Sequence, residues 1–327
     1  MNNTCLLSIR CFVYNHEPYL RQCLDGFVMQ KTSFAFEAIV HDDASTDSSA
    51  AIIREYADKY PEIIKPIYET ENQYSRHDGT LRRIMDSAIS SSSKYVAICE
   101  GDDYWIDPYK LQKQVDALEA HPECSICFGK VKVVSEKGDY LGWSIPVNNN
   151  LEGGLIDLAV YTYEQFRKTR WTFQTSGYLY RSHLGRTISS VMQNEFSSFP
   201  YGDTPLVLIC LMNGNGYYID EELSCYRWQS IGSWSEKNAN IISFKINVSK
   251  KLINGLIAFD QMTSYKYHSN VKIKIRQQEY LVEDYSHHEW NLLLPKYWCI
   301  YNRYTLKHTF SVLLKKYSPS LWKSLKK

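Results

Sequence analysis

Residues 96–108 read VAICEGDDYWIDP. An apolar run goes straight into Glu100, Asp102 and Asp103, then an aromatic pair and Asp107-Pro108. Such a run, ended by acids, has the form of a buried strand that stops at a solvent-filled crevice. In open α/β sheets that crevice, beyond the carboxyl ends of the strands, is where ligands bind. Carboxylates this close repel one another unless something positive sits between them. A divalent cation holding a diphosphate answers that need, because Mg2+ or Mn2+ takes one or two carboxylates and completes its shell from phosphate and water. The plainer alternative is an acidic turn that caps the next helix.

Upstream, strand and helix alternate. Leu6 to Phe12 is apolar enough for a buried strand, Tyr14 to Pro18 supplies a turn, and Leu20, Leu24, Phe27 and Val28 recur at helical spacing. Ala38 to Val40 is a second strand, ending in HDDASTD, whose Ser45, Thr46 and Asp47 are candidate caps for a helix carrying Ile52, Ile53, Tyr56 and Ala57. Ile63 to Tyr68 contains Pro66 and is expected at an edge or bulge. Leu81, Ile84, Met85 and Ala88 form a third helical stripe before the strand Tyr95 to Cys99. Two strands thus end in acid pairs, Asp42-Asp43 and Asp102-Asp103, which points to one site at a topological switch. Asp107-Pro108 is expected to open a helix striped by Leu111, Val115 and Leu118.

The segments LLSIRCFVYNHEPYLRQCLDG, VHDDASTDSSAAIIREYADKYP and CEGDDYWIDPYKLQKQVDALEAHPE resemble glycosyltransferase family 2, inverting nucleotide-sugar transferases of the GT-A fold. The likeness covers residues 5 to about 135, with weaker signals to about 235. It implies a Rossmann-like mixed sheet flanked by helices, with a helical appendage after it. A GT-A domain over 1–235 would comprise a nucleotide-sugar-binding half, 1–110, and an acceptor half, 111–235, followed by a helical, basic region over 236–327.

The resemblance also implies roles. Tyr14 would stack on the nucleobase, and Asp42 or Asp43 would bond its edge. Asp102 would meet the ribose, and Asp103 would coordinate the metal, Mn2+ or Mg2+, that bridges the diphosphate. Glu100 stands where the family has the first Asp of Asp-x-Asp, and remains an oxygen ligand one methylene longer. Against these stand plainer readings: a tyrosine covering the sheet, and aspartates capping helices. Arg82 and Arg83 stand where a basic side chain could reach the diphosphate, with a solvated helix face as the rival.

In the second half, FQTSGYLYR (173–181) reads as a strand, and residues 199–216 as a loop and then a buried helix with Asp203 at its start. The YGDTPL segment matches the place where the family carries the base that deprotonates the acceptor hydroxyl; the rival role for Asp203 is a helix cap. LSCYRWQSIGSWS (223–235) is expected to form a loop closing over the site, with Arg227 on a phosphate and Trp234 flanking the sugar or packing in the core. Where the family has a histidine, this chain has Trp228-Gln229, and glutamine is a poor transition-metal ligand beside imidazole.

The 327 residues suffice for one α/β domain and an appendage, and the net charge of +1 gives no field for nucleic acid. Nine cysteines, odd in number and scattered, fit a reducing compartment, and no leader or membrane-spanning run is visible, so a cytoplasmic protein is expected. After Glu289 there is no acidic residue, while eight lysines and arginines alternate with aromatics over 290–327. That stretch suits peripheral contact with the cytoplasmic face of an anionic membrane, or else a packed helical subdomain. The partners expected are a nucleotide-diphosphate sugar, a UDP-sugar first, and a glycan or lipid-linked acceptor of surface polysaccharide synthesis. A non-catalytic nucleotide-sugar-binding module is the alternative; a sugar nucleotidyltransferase would want a Gly-rich basic loop where this chain has VYNHEP.

Overall fold

The computed structural model describes residues 5–76, 78–147, 151–168, 172–230, 241–288, 291–297, 311–314, 316–318 and 320. They divide into two units, the first of residues 1–161, 170–194 and 203–237, the second of 162–169, 195–202 and 238–327.

The first unit is built on a ten-stranded mixed sheet. Its parallel part is β1 (Cys5–Val13), β2 (Ala35–Asp42), β3 (Ile64–Tyr68) and β4 (Tyr95–Glu100), in the order β3-β2-β1-β4. The chain leaves β1 on one side and returns to its other side with β4, which makes the switch point that the two acid pairs require. Register levels the strand ends, Val13 opposite Asp42 and Phe12 opposite Glu100. Pro66 falls on β3, the strand at the sheet edge, where a missing N–H costs least.

The helices α1 (Glu17–Val28), α2 (Ser49–Lys59), α3 (Thr80–Ala88) and α4 (Lys110–Ala120) follow their strands. Leu7, Ile9, Cys11 and Val13 of β1 share one core with Leu20, Leu24 and Phe27 of α1 and Leu111, Val115 and Leu118 of α4. Each such side chain contributes about 1.5–3 kcal/mol on burial. The opposite face of β1 buries Arg10, which pairs with Asp86 at 3.2 Å and donates to the Tyr180 hydroxyl.

Beyond the acid loop the sheet continues through β5 (Tyr104–Trp105), β6 (Cys124–Val134), β7 (Tyr140–Ile145), β8 (Gly154–Ile156), β9 (Tyr178–Arg181) and β10 (Asn215–Arg227). Here the order is β4-β9-β6-β10-β5, with β7 on β6 and β8 on β10. Between them lie α5 (Leu158–Thr162), α6 (Gly185–Gln193) and α7 (Asp203–Met212).

Three expectations about local structure need correction. α4 begins at Lys110, not Pro108, because Asp107 Oδ1 accepts the Tyr109 N–H and makes a turn first. The strand over 173–181 starts only at Tyr178, after a 3-10 turn over Thr175–Gly177. Tyr226 and Arg227 are strand, not loop, since β10 stays paired with β6 through Arg227 and Val134.

In the second unit α8 (Ile242–Met262) packs on α9 (His268–Tyr285) through Leu252, Leu256, Phe259 and Val271. Gly255 is needed there, since a Cβ would lie 2.5 Å from the Phe199 ring. The turn between the helices is closed by buried Asp260, which meets His268 Nδ1 at 2.6 Å. Of the eight basic residues expected to mark the tail, Lys296 and Lys316 are among the described residues; Arg303, Lys307, Lys315, Lys323, Lys326 and Lys327 lie outside them.

Candidate functional site

Four segments converge at the carboxyl ends of β1, β2 and β4. The first is the turn after β1, which carries Tyr14, 38 % exposed. This turn is laced to the loop after β2. The Asn15 N–H donates to Ser45 Oγ, and Asn15 Oδ1 accepts from the Thr46 N–H at 2.7 Å. The His16 N–H donates to Ser49 Oγ, and Asp47 accepts from the Glu17 and Ser49 N–H groups. Asn15 has φ 57°, a left-handed conformation that asparagine tolerates better than most residues. Of the expected caps, Asp47 does take the first N–H of α2, that of Ser49, while Ser45 and Thr46 tie the two loops together.

The second segment is Asp42-Asp43. Asp43 accepts the Gln73 N–H at 2.7 Å and the Tyr74 N–H at 3.0 Å, which fastens the 72–74 loop over the strand ends. Asp42 is also buried, yet its Oδ1 has no hydrogen-bond partner among the described residues. Neither aspartate caps α2: Asp43 is taken up by the amides that open the 3-10 turn Tyr74–Arg76, while Asp42 has one oxygen unmatched among the described residues.

The third segment is the acid loop. Gly101 tucks against β1 through its N–H on the Phe12 carbonyl, and a Cβ there would lie 2.7 Å from His16 Nδ1. Asp102 Oδ2 accepts from Ser230 Oγ at 2.7 Å. Asp103 Oδ1 accepts the backbone N–H of Arg227 at 2.9 Å, while its buried Oδ2 has no partner among the described residues. Burial, then Asp102, push the Asp103 carboxyl well above the usual range, against the Arg227 N–H. The Glu100 carboxyl is pushed up to about 8 by burial, then by the charges of Asp102 and Asp203. The Glu100 side chain keeps exposed surface although protein crowds round it.

The fourth segment is the start of α7. Asp203 Oδ1 accepts the Thr204 N–H at 2.7 Å, and burial pushes its carboxyl up. Its charge acts on Glu100 and on the buried Tyr178 phenol, so Asp203 lies within electrostatic reach of the acid loop. Crowding and burial raise these carboxyls, and a cation among them would offset their repulsion. Among the described residues no three His, Cys, Asp or Glu side chains are placed to hold a metal unaided. An ion here would take one or two carboxylates and the rest of its shell from phosphate and water.

Arg83 and Arg227 are each held by groups of the protein itself. Arg83 is exposed and donates to the Asp78 carbonyl and Thr80 Oγ1 at the start of its own helix, so it decorates a solvated face. Arg227 is 3 % exposed, and Nε, Nη1 and Nη2 donate to the Asp102 carbonyl, the Glu136 carbonyl and Gln22 Oε1. Its guanidinium lies over the rings of Tyr19 and Tyr104, at 4.8 and 5.0 Å. It braces the acid loop from within the protein. Trp234 lies outside the described residues.

Ser230 and Gln22 escaped the sequence reading. Ser230 stands just after Gln229, where a histidine was sought; Gln229 adopts φ 53°, and that turn brings the serine to Asp102. Gln22 looks like any polar residue of a helix, and only the fold pairs it with Arg227.

A family model described as Glycosyl transferase family 2 matches residues 8–189. Uncharacterized protein Rv1520 of Mycobacterium tuberculosis is 46% identical over 132 residues, 40% of this chain and 37% of that protein; the chain thus spans well under half of this relative's length. Among solved structures, S. aureus TarS 1–349 in complex with UDP-GlcNAc aligns with a TM-score of 0.57 at 14% identity, covering 95% of this chain and 91% of that one. Mannosyltransferase PcManGT from Pyrobaculum calidifontis, in complex with GDP-Man and Mn2+, aligns with a TM-score of 0.52 at 13% identity, covering 98% and 82%. At such identities the two structures speak to the fold, which is GT-A with a helical C-terminal region.

Proposed function

The chain belongs to glycosyl transferase family 2, and on that premise we propose that it moves a sugar, with inversion, from a nucleotide-diphosphate donor to a hydroxyl of a glycan or lipid-linked acceptor, in building a surface polysaccharide. The observation that carries the reading is the cluster of Glu100, Asp102, Asp103 and Asp203 at one strand end, with Asp103 Oδ2 buried and unmatched. That TarS has been seen with UDP-GlcNAc, and PcManGT with GDP-Man and Mn2+, supports a nucleotide sugar, a UDP-sugar first, and a divalent ion here as well.

In this reading residues 1–110 bind the donor and 111–235 the acceptor. Tyr14 stacks on the nucleobase, Asp42 accepts from its edge, and Asp43 keeps the 72–74 loop in place. Asp102 accepts from the ribose. Asp103 and Glu100 would hold Mn2+ or Mg2+, which, when bound, offsets the charge that gathers on the departing diphosphate. Asp203 takes the proton from the acceptor hydroxyl as the new bond forms; a carboxyl of raised pKa is suited to that, since a base works best with its pKa near the working pH. Trp234 flanks the sugar, and the basic stretch 290–327 rests on the cytoplasmic face of an anionic membrane. No helix among the described residues is long and apolar enough to cross a membrane.

The test is a panel of sugar nucleotides with Mn2+, read as released nucleotide. Release from one donor, abolished by EDTA, is the expected result. Tight donor binding with no release, with or without glycan acceptors, would favour a non-catalytic module, and nucleoside triphosphate formed from sugar nucleotide and pyrophosphate a nucleotidyltransferase.

A further inference from the structure

Lys110 opens α4 with no exposed surface. Its Nζ donates to Gln114 Oε1 at 2.6 Å and lies 4.2 Å above the centre of the Trp105 ring. Trp105, itself 2 % exposed, donates from Nε1 to the Ser176 carbonyl at 3.0 Å. Gln114 donates from Nε2 to the next carbonyl, that of Gly177, at 2.8 Å. The four partners close a ring: the ammonium orders an indole and an amide, and these hold successive carbonyls of one turn.

Both ends of this bracket reach the site. Trp105 stands two residues after Asp103, and its backbone pairs with Ser224 of β10, whose hydroxyl meets that of Ser176 at 3.3 Å. The 175–177 turn packs against β4, the strand that delivers Glu100. Gly177 lets it sit close, since a Cβ there would be 2.7 Å from the Gly129 carbonyl.

A buried ammonium is an expensive way to fill space. Burial pushes Lys110 down to about 7, with Cys99, Cys127 and Asp107 drawing it back up. An apolar side chain would fill the volume without that cost; it would not grip the amide and the indole at once. We infer that Lys110 is a positioning residue that sets the Ser176–Gly177 turn against the acid loop, so that the walls of the donor-sugar pocket meet at the spacing transfer needs. The inference rests on the transferase reading above.

The test uses the full chain and the variants Lys110→Met, Trp105→Phe and their combination. Lys110→Met should fold and bind nucleotide diphosphate with Mn2+ within about threefold of the parent, because Tyr14 lies in the turn after β1 and Asp42 at the end of β2, away from the bracket. Its kcat should fall by tenfold or more at little change in KM, since displacements near 1 Å cost about a hundredfold. Trp105→Phe keeps a ring under the ammonium and loses only the bond to Ser176, so its kcat should fall less. The double variant should be no worse than Lys110→Met, the mark of residues acting as one unit. Backbone hydrogen exchange over residues 172–181 should be faster in Lys110→Met, and this readout needs no turnover. Unchanged kcat, losses that multiply in the double variant, or unchanged exchange would each overturn the inference. Should Lys110→Met fail to fold, Trp105→Phe carries the kcat and exchange readouts. If the unaltered protein releases nucleotide from no donor, the transferase reading has failed, and exchange alone decides whether the bracket exists.

Discussion

Asp103 is held by the backbone of Arg227, not by its guanidinium. The Arg227 N–H donates to Asp103 Oδ1 at 2.9 Å, while Nε turns to the Asp102 carbonyl and the two terminal nitrogens go to Glu136 and Gln22. A residue that reads as a ligand for phosphate is therefore the strut that ties the acid loop to β10, and its replacement should act on stability first. Arg227→Met removes three side-chain bonds and two ring contacts, a loss on the order of 3 kcal/mol. The backbone donor to Asp103 survives, so Mn2+-dependent nucleotide affinity should fall less than in Asp103→Asn. Urea unfolding and calorimetry together decide it: lost affinity at unchanged stability would return Arg227 to the phosphate.

Asp103→Asn should abolish both transfer and the metal-dependent part of donor binding, because it removes the charge behind the buried, unmatched Oδ2. It also relieves the repulsion among Asp103, Asp102 and Glu100, so the metal-free variant should melt no lower than the parent, and higher if repulsion dominates. Equal nucleotide-sugar affinity with and without Mn2+ in parent and variant alike would remove the metal from Asp103.

Asp203→Asn should separate the base from the cap. Asparagine caps a helix about as well as aspartate, so the start of α7 should hold. Donor affinity should stay near that of the parent while turnover drops about a hundredfold or more, the scale of a lost general base. Activity within a few-fold of the parent would leave Asp203 as the first residue of α7 and nothing else.

The sequence was most legible where one physical signal dominated. β4 is apolar on both faces, as a parallel strand covered by helices should be, β1 on the face that carries Leu7, Ile9, Cys11 and Val13, and each acid pair marks a strand end directly. Pro66 named the edge strand because a missing N–H has few other places. The second half was harder. β5 is two residues long and exists only by pairing with Ser224 and Cys225, a partnership a hundred residues away that leaves no periodicity. Arg227 was ambiguous because a guanidinium suits a carbonyl cage as well as a phosphate, and residue type alone does not choose between them. Asp42 and Asp43 looked equivalent until the fold set one of them on the Gln73 and Tyr74 amides. Lys110 gave no signal at all: a lysine at a helix start reads as solvated, and only the sheet in front of it shows that it is enclosed.

That enclosure makes a prediction about pH. An unfolded chain keeps the Lys110 proton up to about 10.5, and the folded protein gives it up at about 7. Between those values the unfolded state binds more protons, so Lys110 makes stability rise with pH, by at most about 1.4 kcal/mol per unit. Below the folded value the full cost of the buried charge is present in every molecule; above the unfolded value it is gone. Lys110→Met carries no such cost at any pH. Its stability advantage over the parent should therefore be largest at about pH 6 and shrink steadily toward about pH 9.5. Only this difference is diagnostic, because the tyrosines and cysteines that titrate in the same range are common to both proteins and cancel. Urea unfolding of the pair at several pH values supplies it. A difference that stays constant across the window would mean that Lys110 keeps its proton in the folded state, held as a cation by Gln114 and the Trp105 ring.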